Sequence, residues 1–335
     1  MSFADPFLGN NRVIAQLEVK LREGRLPHAL IFTGPEGVGK RTCALRIAKT
    51  LQCEKHESPP CGACAQCQKI ERGHHTDVIT LTLEADASQI KIEQIRKLRS
   101  TLEFEPLEGV ATVYLIDPAE RMTEAASNAL LKVLEEPPAA TYFFLITANS
   151  QELKATIRSR SQTYHFSPVP LEEIRKAGIA DERVVRWSQG SIGRAMRTDA
   201  EELLSEREML LEFLETVMTA RDEALAGMLA ASAELARSKE DYSDRIRILG
   251  VLVSDLMFLE VGLDHRLVNV DIRGRLENLR NSVSMERIVQ IGDCLKFIEA
   301  NLKYHVNRQM MSDGLALILN PSTAELLHDK PWENR

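Results

Sequence analysis

Apolar positions along this chain follow two regimes that meet near residue 167. Before it, short apolar runs alternate with stretches of helical period. Leu30–Thr33, Val78–Leu83, Thr112–Ile116, Tyr142–Thr147 and Gln162–Phe166 read as five strands. Between them Val13, Ile14, Leu17 and Leu21 line one helix face, with Asn10 or Asn11 as its N-cap. Further helices follow over Ala44–Leu51, Ile90–Leu102, Ala126–Leu134 and 153–160; Thr123 caps the third of these, and Pro137 and Pro138 end it. Strands alternating with helices predict a parallel sheet covered on both faces. After Pro168 and Pro170 no strand pattern returns. Short helices are expected over 171–179 and 181–188, another opens at Gly190–Ala195, and long amphipathic helices run from 201 to 319. Their Leu-rich faces read as core and oligomer interface.

The chemistry begins where the first strand stops. Gly34, Gly37 and Gly39 open a loop that ends at Lys40, just before a helix, in the pattern G-x-x-x-x-G-K. Glycines there let backbone N–H groups turn inward around phosphate oxygens, and the helix N-terminus adds partial positive charge. Lys40 reaches the outer phosphates in such a loop. The next position should carry the Ser or Thr hydroxyl that holds Mg²⁺; here it is Arg41, with Thr42 one place late. The third strand ends at Asp117, a second Mg²⁺ position, but Pro118 stands where a hydrolysing enzyme carries Glu, and Glu120 is two residues further. Asn149, after the fourth strand, is placed to face a γ-phosphate. Without further information this is a nucleotide site altered at its metal, so ATP is a candidate ligand and Mg²⁺ a doubtful one.

Four of the six cysteines, Cys53, Cys61, Cys64 and Cys67, crowd into the spacing C-x7-C-x2-C-x2-C, with Pro59, Pro60 and Gly62 keeping the segment irregular. Four thiolates from one compact loop match structural, tetrahedral Zn²⁺ with no open position. The rival is an iron–sulfur cluster, whose run needs a further Cys followed by Pro; Cys67 is followed by Gln68. His56, His74 and His75 nearby read as solvated, and Cys43 and Cys294 as small buried hydrophobes. No secretion signal or apolar run long enough for a bilayer is present, so the chain is expected in a reducing cytoplasm with no membrane contact. The 335 residues are 44% hydrophobic and carry net charge −7, an ordinary soluble balance that excludes nucleic-acid binding over the whole surface. Contact with DNA is expected to be indirect or to its phosphates.

Together with the glycine loop, the cysteine module and the strand ending at Asp117, the run Ser-Asn-Ala-Leu-Leu-Lys-Val-Leu-Glu-Glu-Pro-Pro at 127–138 and Ser159-Arg160-Ser161 carry a resemblance. The chain resembles the AAA+ clamp-loader subunits of bacterial DNA polymerase III, well over residues 1–200 and more loosely beyond. The resemblance implies an α/β AAA+ P-loop domain over 1–166 with the zinc module at 53–67. A small helical lid over 167–204 and an all-α collar over 205–335 would follow. It implies partners: gamma/tau and delta subunits in a hetero-pentamer, the sliding clamp, and primed DNA met through the assembled complex. Arg160 matches the family's arginine finger, and Arg194 lies one residue after its sensor-2 arginine. Two readings stay open. One is a stator-type subunit that presents Arg160 to a neighbour's ATP; the other is an ATP-hydrolysing gamma/tau-type motor. Arg41 and Pro118 favour the first.

Overall fold

A computed structural model describes residues 7–55, 60–85, 87–102, 104–219, 225–237, 241–302 and 307–320. Their contacts divide the chain into two compact units. The first holds residues up to Ala180 and the segment Ser188–Arg197; the second holds Asp181–Trp187 and everything from Thr198. The stretch 167–204 therefore contributes to both.

The first unit is built on β1 (Ala29–Thr33), β2 (Val78–Leu81), β3 (Thr112–Ile116), β4 (Thr141–Thr147) and β5 (Gln162–His165), in the order β2-β3-β4-β1-β5, every pair parallel. Helices α1 (Asn11–Arg22), α2 (Lys40–Gln52), α3 (Ala65–Glu71), α4 (Ile92–Thr101), α5 (Glu124–Glu135) and α6 (Ala155–Arg158) join the strands. Strand side chains alternate, so Leu30 and Phe32 of β1 enter one core with Phe144, Val113 and Ile47. Ala29 and Ile31 enter the other with Tyr114, Phe143, Leu145 and Leu130. Phe32 meets Phe144 and Phe166 edge-on, with centroids 5.9 and 5.7 Å apart, and Tyr114 stacks on Phe143 at 5.3 Å. Burying each such ring is worth roughly 2–3 kcal/mol, so β1 and β4 form the rigid centre.

Several local details differ from the sequence pattern. Asn10 is the N-cap residue of α1, its carbonyl accepting the Ile14 N–H at 3.1 Å, but its side chain does not cap the helix. Asn10 sits in the left-handed region at φ 54°, and its amide reaches Ser167, whose N–H it accepts at 2.7 Å and whose carbonyl it donates to at 3.1 Å. The cysteine segment is less irregular than its Pro and Gly content implied, since α3 carries Cys67. His74 is exposed as expected, but His75 is buried. Its Nδ1 accepts the Asp77 N–H at 3.0 Å, and the Asp77 carboxylate takes the N–H groups of Leu107, Glu108 and Gly109. A histidine beside a carboxylate that wraps a loop is drawn inside by that loop. Residues 56–59, including His56, lie outside the described residues.

The first unit continues with α7 (Leu171–Lys176) and α9 (Ile192–Arg197). The second unit contains α8 (Glu182–Trp187), α10 (Ala200–Thr219), α11 (Leu225–Ala236), α12 (Tyr242–Glu260), α13 (Arg273–Asn281), α14 (Met285–Asn301) and α15 (Arg308–Leu319). Helix α12 packs on α14, and α11 on α15. Buried charged side chains of this unit are held by partners. Arg245 forks onto Glu206 at 2.7 and 2.9 Å, and Asp255, fully buried, accepts the N–H groups of Val268 and Asn269.

Candidate functional site

All five strands point their C-terminal ends to one edge, and in this order β4 separates β1 from β3. That edge is where an open parallel sheet holds a ligand. The loop leaving β1 turns through Gly34, Gly37 and Gly39 at φ 140°, 75° and 97°. At Gly34 a Cβ would lie 2.0 Å from the Phe166 carbonyl oxygen, and at Gly37 one would lie 2.1 Å from Ser191 Oγ. Only glycine fits either place. The Gly193 N–H donates to the Gly37 carbonyl at 2.9 Å, so the start of α9 sits directly on the loop.

Lys40 is buried, and its ammonium donates to the carbonyls of Gly34 (2.5 Å) and Pro35 (2.6 Å). This ties the end of the loop to its beginning and leaves one of three donors for a ligand. Helix α2 starts directly at Lys40 with no side-chain cap, so the first N–H groups of that helix have no partner within it. A run of inward N–H groups at a helix start is an anion cradle. Burial pulls the Lys40 ammonium below its ordinary value, while Asp117, Glu120 and Glu36 push it back up.

Arg41 lies in the first turn of α2, and its Nη1 is 3.0 Å from Asp117 Oδ2 at the end of β3. The two positions that would share Mg²⁺ are thus joined to each other by a guanidinium–carboxylate pair. A divalent cation does not fit this donor set: one expected oxygen ligand is replaced by a cation, and the other is spent on it. Thr42 is exposed one residue beyond. Glu120 comes nearer than its offset from Asp117 implied. The short turn Ala119–Arg121 curls it back so that its Oε1 accepts the Ala148 N–H at 3.3 Å. Asn149 accepts the Gln151 N–H at 3.0 Å through its side-chain oxygen and is exposed beside β4. Arg194, half-buried on α9, donates to the Ser188 carbonyl at 3.4 Å, while its backbone N–H reaches Ser191 Oγ.

The two arginines before β5 have different surroundings. Arg158 Nη1 donates to three carbonyls, those of Ser150, Gln151 and Leu153, at 3.4, 3.1 and 3.3 Å. It is spent on holding a turn. Arg160 lies at the surface, 2.7 Å from Glu135 Oε1 and 3.0 Å from the Thr156 carbonyl. Lys154, at the start of the same segment, reaches Glu124 and Asn128 at 2.8 and 2.9 Å. Glu124, Asn128 and Glu135 share one exposed stripe of α5. The run at 127–138, for which the sequence offers no physical reason, therefore presents two of the groups that hold the Arg160 segment, Asn128 and Glu135.

The four sulfurs of Cys53, Cys61, Cys64 and Cys67 lie within 4.8 Å of one another. The Cys61 N–H points at Cys53 Sγ (3.4 Å) and the Cys64 N–H at Cys61 Sγ (3.3 Å). Backbone N–H groups of Ala63 and Cys64 pull the Cys61 thiol down to about 6, whereas burial pushes Cys67 up. Thiolate donors so arranged can hold a metal ion such as zinc. Cys43 and Cys294 are buried, and burial raises both thiols, Cys294 to about 12. No helix among the described residues is long and apolar enough to cross a membrane.

Residues 9–170 match the family described as "DNA polymerase III, delta subunit". The tau subunit of DNA polymerase III from Salmonella typhimurium is 40% identical over 175 residues, which are 52% of this chain and 27% of that protein. The chain thus spans about a quarter of the length of the tau subunits it matches. The DNA polymerase III delta' subunit of Escherichia coli is 30% identical over 315 residues, covering 90% of this chain and 91% of that one. The Bacillus subtilis delta' subunit is 28% identical over 92% and 95%. Likeness to tau takes in about half of the chain, whereas likeness to delta' takes in nine-tenths of it. The chain belongs to the delta' family of DNA polymerase III subunits.

Proposed function

We propose that this chain is the stator-type subunit of a clamp loader. It helps load a sliding clamp onto primed DNA, and its chemical contribution is Arg160, presented to ATP held by a neighbouring gamma/tau subunit. A permanently charged, planar guanidinium on a short surface turn suits that role. Delta and gamma/tau subunits are its partners in a hetero-pentamer, with residues 205–335 as the assembling collar and 167–204 as a lid. The cysteine module holds one structural Zn²⁺. The loop from Gly34 to Lys40, with Asn149 and Arg194 near it, holds ATP without efficient turnover.

The observation that carries this reading is the Arg41–Asp117 pair. A motor subunit needs both positions for Mg²⁺ and an acid after Asp117 to polarise water; this chain has neither. The test is ATP hydrolysis by the purified chain alone. The reading expects none above the background rate. Turnover at motor rates, abolished by Lys40→Ala, would replace it with the gamma/tau-type reading.

A further inference from the structure

We infer that the Gly34–Lys40 loop takes a nucleoside polyphosphate as the free anion, with the Arg41 guanidinium supplying the charge that a divalent cation supplies in an ordinary loop of this kind. The inference rests on the proposal that this loop binds nucleotide. It goes further in naming the ionic form of the ligand and the residue that selects it.

Three observations carry it. The loop is already formed: Gly34, Gly37 and Gly39 carry its positive-φ turns, α2 opens at its end without a side-chain cap, and Lys40 is fixed across it. Next, Arg41 is anchored rather than loose. Asp117 is its one partner among the described residues, through a single Nη1 contact of 3.0 Å. A guanidinium has five N–H donors in a fixed fork, so this contact orients Arg41 and leaves donors for phosphate oxygens. Both side chains are half-exposed, at 47% and 24%, so a ligand in the cradle can reach them. Finally, charge balance favours a bare anion. Lys40 and Arg41 stand side by side at the start of α2, where the helix terminus adds partial positive charge. Adding a divalent cation beside Arg41 would set like charges together and compete for the one carboxylate.

The test is a fluorescence titration of the full chain with N-methylanthraniloyl-ATP, once with Mg²⁺ and once with EDTA. The expected result is binding in EDTA that Mg²⁺ weakens by about tenfold or more, because Mg²⁺ sequesters the free anion, and loss of binding in both buffers for Lys40→Ala. Arg41→Thr, which restores a hydroxyl, should weaken binding in EDTA by about tenfold or more and make Mg²⁺ strengthen it. Arg41→Lys guards against a variant that merely misfolds: it keeps the positive charge and should keep most of the binding in EDTA, whereas loss equal to that of Arg41→Thr would overturn the role of the charge. Binding by the unaltered chain only in Mg²⁺ overturns the inference and leaves the nucleotide proposal standing. No binding in either buffer overturns both.

Discussion

Arg41 reaches Asp117 across β4, linking the start of α2 to the end of β3 at 3.0 Å. Arg41 alone departs from an ATPase pattern and Asp117 alone fits it; as a pair they join a fixed cation to the carboxylate that would hold the metal. This places the altered chemistry at one point and leaves the rest of the loop intact, with its glycine turns and the Lys40 tie.

Arg158 and Arg160 should respond differently to removal. Arg158→Ala leaves the carbonyls of Ser150, Gln151 and Leu153 without their shared donor, and should lower stability by about 1–3 kcal/mol in urea unfolding. Arg160→Ala breaks a half-exposed pair with Glu135 and should change stability by less than about 1 kcal/mol. Equal losses would contradict the division of labour between them.

Metal analysis should find about one zinc per chain. Removing it with a chelator should raise amide hydrogen exchange over residues 61–71, including α3, while β1 and β4 stay protected. The sheet's cores draw almost wholly on residues outside the module, Ile70 being the one they take from 61–71. Iron in place of zinc, or loss of protection throughout the sheet, would contradict this.

His75 should make stability fall on acidification. Burial is the largest influence on its imidazole and lowers it from 6.5, outweighing Glu108 and Asp77, which raise it. The folded chain thus holds His75 neutral where the unfolded chain takes up a proton, so stability is present above about pH 6.5 and is lost below it. Glu108 acts in the same sense lower down. Its bond to Lys69, with the Thr76 N–H, holds its carboxyl at about 2, so that contribution is present above about pH 4.5 and fades as pH falls towards 2. His75→Asn, which keeps an acceptor for the Asp77 N–H, should flatten the change in urea midpoint between pH 7.5 and 5.5. An unchanged slope would contradict the assignment.

Much of this was legible because it depends on neighbours in sequence. Apolar runs marked all five strands, with β3 placed to the residue, and the cysteine spacing marked the cluster of four thiols that could hold a metal. What stayed hidden depends on contacts across the chain. The Arg41–Asp117 pair needs the strand order, which brings together residues 76 apart. His75 looked like its exposed neighbour His74 until the loop held by Asp77 covered it. The role of Glu135 needed the turn that carries Arg160 to lie against α5. Asn10 takes the expected N-cap position, but its side chain is spent on Ser167, a partner distant in sequence.

The central claim, that this chain acts on a neighbour's ATP through Arg160, is tested most directly by ATP hydrolysis in the reconstituted complex. Gamma/tau and delta subunits would be assembled with the unaltered chain or with Arg160→Ala, and assembly checked by gel filtration. The account predicts an intact complex in which hydrolysis at the served site falls by about 10³-fold or more, the scale of other arginine fingers. Unchanged hydrolysis in a fully assembled complex would contradict it.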